Sequence, residues 1–187
     1  MSILICIIFL EIKAKEIKMS IQEILKHHGI NSIWHFTDRS NLKSISENGL
    51  VSLNTILKQN IEVSRYGASD SSHRQDIQKG FHTCVHLSFI QDHPMYHIAK
   101  RDGRLIDPVW IELDLSIMTS DNTLFSNMLA NTYNAPIFKS DELERMIDFD
   151  KILYEKDFFT RKEARKAEIM LFDSIQVEQI KGIHNGY

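Results

Sequence analysis

Apolar and polar positions along this chain change period several times, and each change marks an element boundary. In MSIQEILKHHGI, beginning at Met19, the apolar residues Ile21, Ile24 and Leu25 share one helical face. WHFT, residues 34–37, alternates as a short strand does. Asp38 or Ser40 then offers a cap for a helix in NLKSISENGL, where Leu42 and Ile45 stand one turn apart and Gly49 marks the stop. Residues 60–82 carry serine, glycine, histidine and charge with little periodicity, so a long loop is expected, and such loops in compact domains are usually functional. CVHLSFI (84–90) predicts a strand. VWIELDL (109–115) predicts another with one buried face, because Val109, Ile111, Leu113 and Leu115 alternate with the rest. Residues 119–140, which include NTYNAPIF, read as a second irregular loop. DELERMIDF and FTRKEARKA predict helical pieces, EIMLFDSI a late strand, and QVEQIKGI one element more. With no internal repeat and no linker, the expectation is a single α+β domain of short strands, flanking helices and long loops.

Composition narrows the class. The chain has 187 residues, 43% hydrophobic and 25% charged, which suits one ordinary core and argues against disorder. A net charge of -3 excludes wholesale attraction to nucleic acid, so any polyanion site must be a local patch. Ile3 to Leu10 is an apolar run too short to span a bilayer, with no basic leader or cleavage signature, so neither a membrane span nor a signal peptide is expected. Because Met19 opens the first convincing helix, residues 1–18 are expected to be an upstream extension of the reading frame and 19–187 the domain. Cys6 and Cys84 are far apart and belong to no CxxC or Cys/His group, which points to a reducing cytoplasm. His93 and His97 lack a third ligand nearby, so no metal is expected.

Three groups of residues carry candidate chemistry. His35, Thr37 and Asn41 surround the end of an early strand and the start of the next helix, where hydroxyls and backbone N–H groups meet an anion or a carboxamide. Arg65 and Arg74 lie in the polar stretch ahead of CVHLSF, where a guanidinium reaches a pyrophosphate bidentately. Glu168 stands at the mouth of an apolar strand, following the basic run of KEARKA. Each has a bland alternative: a packed histidine, solvated arginines, and a solvated glutamate between helix and strand.

Their order changes the balance. WHFTDRSNLKSISENGL, RQD with CVHLSFIQDHPMYHIAKRDG after it, PVWIELD, FSNMLANTYNA and KAEIML together resemble the DarT family of DNA ADP-ribosyltransferases, over residues 31–183. The resemblance implies an ADP-ribosyltransferase-like fold, NAD as co-substrate without a metal, and transfer of ADP-ribose to a base of single-stranded DNA, thymine first. It also implies a toxin or defence effector with a macrodomain antitoxin as partner. His35, Thr37 and Asn41 then fall to NAD binding, Arg74, ahead of Arg65, to NAD and catalysis, and Glu168 to catalysis. The chain departs from the best-known members in one strand, CVHLSF with QDHPMYH where those carry YVPFYF and PRSPMLY.

Breaking the bond between ribose and a cationic nicotinamide develops oxocarbenium character, which a carboxylate stabilises. Glu168 suits that role, and burial is expected to raise its pKa towards that of a base. For the acceptor strand, Arg161 and Arg165 in the basic run offer phosphate contacts, and Tyr133 or Phe138 a stacking face. The run reads equally well as a solvated helix face with Phe158 and Phe159 in the core. Two rival functions remain: an ADP-ribosyltransferase acting on RNA or protein, and a non-catalytic nucleic-acid or NAD-binding module.

Overall fold

The computed structural model describes residues 19–172 and 174–187; the expectation of an upstream extension over 1–18 lies outside the described residues. The strands are β1 (Ile33–Asp38), β2 (Val85–Leu87), β3 (Pro108–Leu113), β4 (Thr123–Ser126), β5 (Ile137–Phe138), β6 (Glu168–Leu171) and β7 (Ile180–Asn185). They form two antiparallel sheets, in the orders β1-β3-β7 and β2-β6-β4-β5. A bridge between Trp34 and Ser88, with N–H···O distances of 2.9 and 2.8 Å, ties the first sheet to the second. The seam between β1 and β2 is therefore rigid backbone.

Helices close the open faces: α1 (Ile21–His27), α2 (Leu42–Asn48), α3 (Leu53–Gln59), α4 (Asp70–Lys79), α5 (Pro94–Arg101), α6 (Leu143–Met146), α7 (Phe149–Tyr154) and α8 (Phe158–Ala164). Helix α1 begins as the pattern predicts. Ser20 and Glu23 form a reciprocal capping box, and Ile21, Ile24 and Leu25 are buried. Asp38 caps the 3-10 turn Arg39–Asn41 and also accepts the N–H groups of Ile106 and Asp107 at 2.7 and 3.0 Å, which locks the end of β1 to the start of β3. Burial opposes its charge, but the bonds from Ser40, Asp107 and Ile106 win and hold its pKa at about 2. Gly49 ends α2 at φ 73, and a Cβ there would stand 2.3 Å from the Ile175 carbonyl, so only glycine permits the Leu50–Ile175 bridge.

Three sequence expectations are corrected. Residues 60–82 contain the helix α4, which is missed because its surface is polar nearly all round; the Ser69 cap and the left-handed stop at Gly80 define it. Residues 119–140 contain β4 and β5, both too short for alternation to reveal. Strand β3 is buried on both faces rather than one: Trp110 is as enclosed as Val109 and Ile111, in a second cluster with Tyr96, Ala99 and Leu105. The main core lies under α1 and between the sheets, gathering Leu25, Ile33, Ile111, Phe125 and Ile169. Burying side chains of this size stabilises by about 1.5–3 kcal/mol each.

Candidate active site

Glu168 opens β6 beside Ser126 of β4. In the β2–β6 ladder His86 faces Met170, so its side chain emerges on the same face as Glu168, one diagonal away. The Glu168 carboxylate has 14% exposure; its Oε2 accepts the Ala130 backbone N–H at 2.9 Å and lies 3.5 Å from His86 Nδ1. The other ring nitrogen of His86, Nε2, is 3.3 Å from the Phe81 carbonyl, an atom that can only accept. Both nitrogens thus face acceptors, the arrangement of an imidazolium. Burial disfavours that charge, yet the Glu168 hydrogen bond and charge, with Asp76 nearby, raise the His86 pKa to about 9.

The same pair corrects the expectation of a raised Glu168. Burial alone would push its pKa up, but His86 first, then His93 and the Ala130 N–H, hold it below the ordinary glutamate value. Glu168 is a fixed anion in a partly enclosed site, suited to stabilising positive charge and poor as a base.

His35 meets this pair through the seam. Its Nδ1–H donates to the His86 carbonyl at 3.1 Å. Burial lowers its pKa, as does the nearby His86 charge, against the opposing effect of that carbonyl, so the ring is neutral and Nε2 is left as an acceptor. Thr37 and Asn41 follow on β1 and the turn after it. The Asn41 amide donates to Thr37 Oγ1 at 3.0 Å and to the Arg65 carbonyl at 2.6 Å, while its Oδ1 accepts the N–H groups of Ser64 and Arg65 at 2.9 and 3.2 Å. Asn41 therefore pins the segment that carries Arg65.

His35, Thr37, Asn41, Arg65, Asp76 and Glu168 all border one cavity of about 270 Å³. Arg74 does not. Helix α4 turns Ser72, His73 and Asp76 to the cavity, and at 100° per residue Arg74 points elsewhere and is exposed. Of the two arginines, Arg65 rather than the expected Arg74 borders the cavity: it is half-buried in the wall, with Nη1 3.5 Å from the Gly103 carbonyl.

The acceptor-side expectations divide. Phe138 is 5% exposed and stacked on Phe125 inside the core, so it cannot receive a base. Arg161 donates to the Glu155 and Lys156 carbonyls, and Arg165 to Asp92 and the Ile152 carbonyl, which makes both of them ties between segments rather than free phosphate ligands. Lys151 and Lys166 are paired with Asp148 and Glu163. Tyr133 is open, at 86% exposure. Phe158 and Phe159 are exposed as well, edge to face at 5.4 Å, instead of core residues.

Sequence reasoning missed His86 and Asp76. Alternation of Val85, His86 and Leu87 held a usable signal, since a histidine between two core residues in a strand must face the other way. Asp76 offered none, because α4 itself was not foreseen. Among the described residues no group of three or more His, Cys, Asp or Glu side chains is arranged to hold a metal, and no helix is long and apolar enough to cross a membrane. Cys84 is buried, which raises its thiol pKa to about 11.

The family model of DarT, the ssDNA thymidine ADP-ribosyltransferase, matches residues 34–185. The chain belongs to the DarT family. Its architecture agrees with solved DarT structures, all at identities that speak for the fold alone. Thermus sp. 2.9 DarT in complex with ADP-ribosylated ssDNA superposes with a TM-score of 0.65 at 18% identity, covering 83% of this chain and 81% of that one. The same Thermus protein in complex with NAD+ gives 0.60 at 17%, covering 82% and 81%. Thermosipho africanus DarTG in complex with ADP-ribose gives 0.65 at 19% and 82% coverage, and this chain spans only 43% of its length. No curated protein matches the chain.

Proposed function

We propose that this DarT-family chain transfers the ADP-ribose of NAD onto a base of single-stranded DNA, thymine first, with Glu168 stabilising the reacting ribose. One observation carries the reading: an ionised Glu168, held by His86 and the Ala130 N–H, sits in the wall of the cavity that also presents His35 and Arg65. The residues present fit NAD. Arg65 supplies the cation for a pyrophosphate, the free acceptor of neutral His35 suits an N–H or O–H of the dinucleotide, and the second oxygen of Glu168 faces a developing positive charge. NAD itself supplies the good leaving group, a cationic nicotinamide. The protein needs to orient the ribose, and the hydrogen-bonded seam between the two sheets holds the residues that do so.

Single strands are preferred on grounds of access, since an acceptor atom engaged in pairing must first be unpaired at a cost of a few kcal/mol. Tyr133, exposed to solvent, is the stacking candidate. A cytoplasmic toxin opposed by a macrodomain antitoxin completes the proposal. Incubation of the chain with labelled NAD and, separately, single-stranded DNA, duplex DNA, RNA and protein tests it. Label confined largely to single-stranded DNA is expected; label on RNA or protein alone, or equal label on duplex, rejects it.

A further inference from the structure

Besides Glu168, the cavity is bordered by a second carboxylate that the mechanism so far leaves idle. Asp76 is 8% exposed, and its Oδ1 is enclosed without a hydrogen-bond partner. Three costs meet at this residue. A buried carboxylate oxygen without a donor forfeits solvation. Aspartate is a poor helix former, and Asp76 lies in the last turn of α4, where the helix dipole disfavours a negative charge. It caps nothing. Asn131 supports the carboxylate, the imidazoles of His73 and His86 act on it electrostatically in its favour, and the negative charge of Glu168 acts against it. Strain of this kind persists where a site uses it.

The two carboxylates are driven in opposite directions. Burial first, then Glu168, raises the pKa of Asp76 against the lowering effects of His86, Asn131 and His73, whereas Glu168 is lowered. A pair separated in this way divides acid–base labour. Glu168 cannot readily serve both needs of the reaction, because one of its oxygens is already taken by Ala130 and His86.

Resting on the transfer reaction proposed above, we infer that Asp76 is the base that accepts the proton of the acceptor's imide nitrogen. In that step the C1′–N bond to nicotinamide breaks and its electron pair leaves with nicotinamide. The lone pair of the imide nitrogen forms the new bond to C1′, and the N–H proton passes to the Asp76 carboxylate and on to solvent. The acceptor class follows from this chemistry: a base carrying an ionisable ring N–H, such as thymine or uracil, over one with only an exocyclic amine.

The test compares wild type with Asp76→Asn in single-turnover transfer to oligonucleotides that carry thymine or 5-fluorouracil, whose imide is more acidic and needs less help from a base. Asp76→Asn is expected to keep or raise the melting temperature, since a buried charge is removed. It should slow transfer to thymine about 10²-fold or more, and transfer to 5-fluorouracil distinctly less. Should the amide fail to fold, Asp76→Ala takes the same comparison. Equal slowing at both acceptors marks Asp76 as structural and overturns the inference, as does undiminished transfer to thymine. A wild-type chain that labels no DNA at all rejects the parent reading and this one with it.

Discussion

His86 Nδ1 lies 3.5 Å from Glu168 Oε2, and this contact fixes the charge of both groups. Burial resists the imidazolium, but the pairing with Glu168 carries the His86 pKa from 6.5 to about 9. The folded-state value is the higher one, so while Glu168 stays ionised the pair's contribution to stability is complete below 6.5, declines as pH rises, and is gone above about 9. Denaturant titration at about pH 6 and about pH 10 should show the loss, and His86→Gln should abolish it. The transfer rate is expected to follow the same alkaline arm, and a wild-type rate with no such arm near 9 contradicts the role given to His86.

Arg65 borders the cavity, and the proposed function assigns it as the cation for NAD. Arg65→Ala is expected to weaken NAD binding by about 1.5–3 kcal/mol, the worth of a charge-assisted bond, while Arg74→Ala leaves it within error. Calorimetric titration of NAD with both variants decides the order.

Asn41 makes four side-chain hydrogen bonds, three of them to the backbone of Ser64 and Arg65. Asn41→Ala should lower stability by about 2 kcal/mol and, by loosening the Arg65 segment, raise KM for NAD more than it lowers kcat. Thermal denaturation beside steady-state kinetics separates the two effects. An unchanged melting temperature removes Asn41 from this role.

Much of this architecture was legible in the sequence, for identifiable reasons. Helix α1 announces itself through Ser20, Glu23 and three apolar residues at helical spacing, β1 through alternation, and the end of α2 through Gly49, whereas Asp38 caps the 3-10 turn ahead of α2 rather than α2 itself. Glu168 was singled out from the block that contains it, and the structure places it on the cavity. Helix α4 was not, since a polar helix on the rim of a cavity has no apolar stripe to display, and the identity of the cavity arginine went with it. His86 was hidden differently: its role depends on a strand more than 80 residues away in sequence, which no local pattern reports. Phe138 looked like a loop aromatic because β5 is two residues long.

Two aromatics once interchangeable are now opposites. Phe138→Ala removes a ring from the core and should cost about 3–5 kcal/mol of stability. Tyr133→Ala should leave stability unchanged and weaken use of single-stranded DNA by about 1–3 kcal/mol if a base stacks there. Melting curves and oligonucleotide binding for the two variants check both statements.

The account turns on Glu168 as the anion that stabilises the reacting ribose. Glu168→Gln keeps the shape and an acceptor for the Ala130 N–H, and with His86 free to shed its proton the fold should hold. Single-turnover transfer of labelled ADP-ribose to single-stranded DNA, measured beside NAD affinity and melting temperature, is the most direct test. The account predicts near wild-type affinity and melting with a rate lowered about 10²-fold or more, about 3 kcal/mol of lost transition-state stabilisation. A Glu168→Gln protein that transfers at the wild-type rate, or one whose melting temperature collapses, contradicts it.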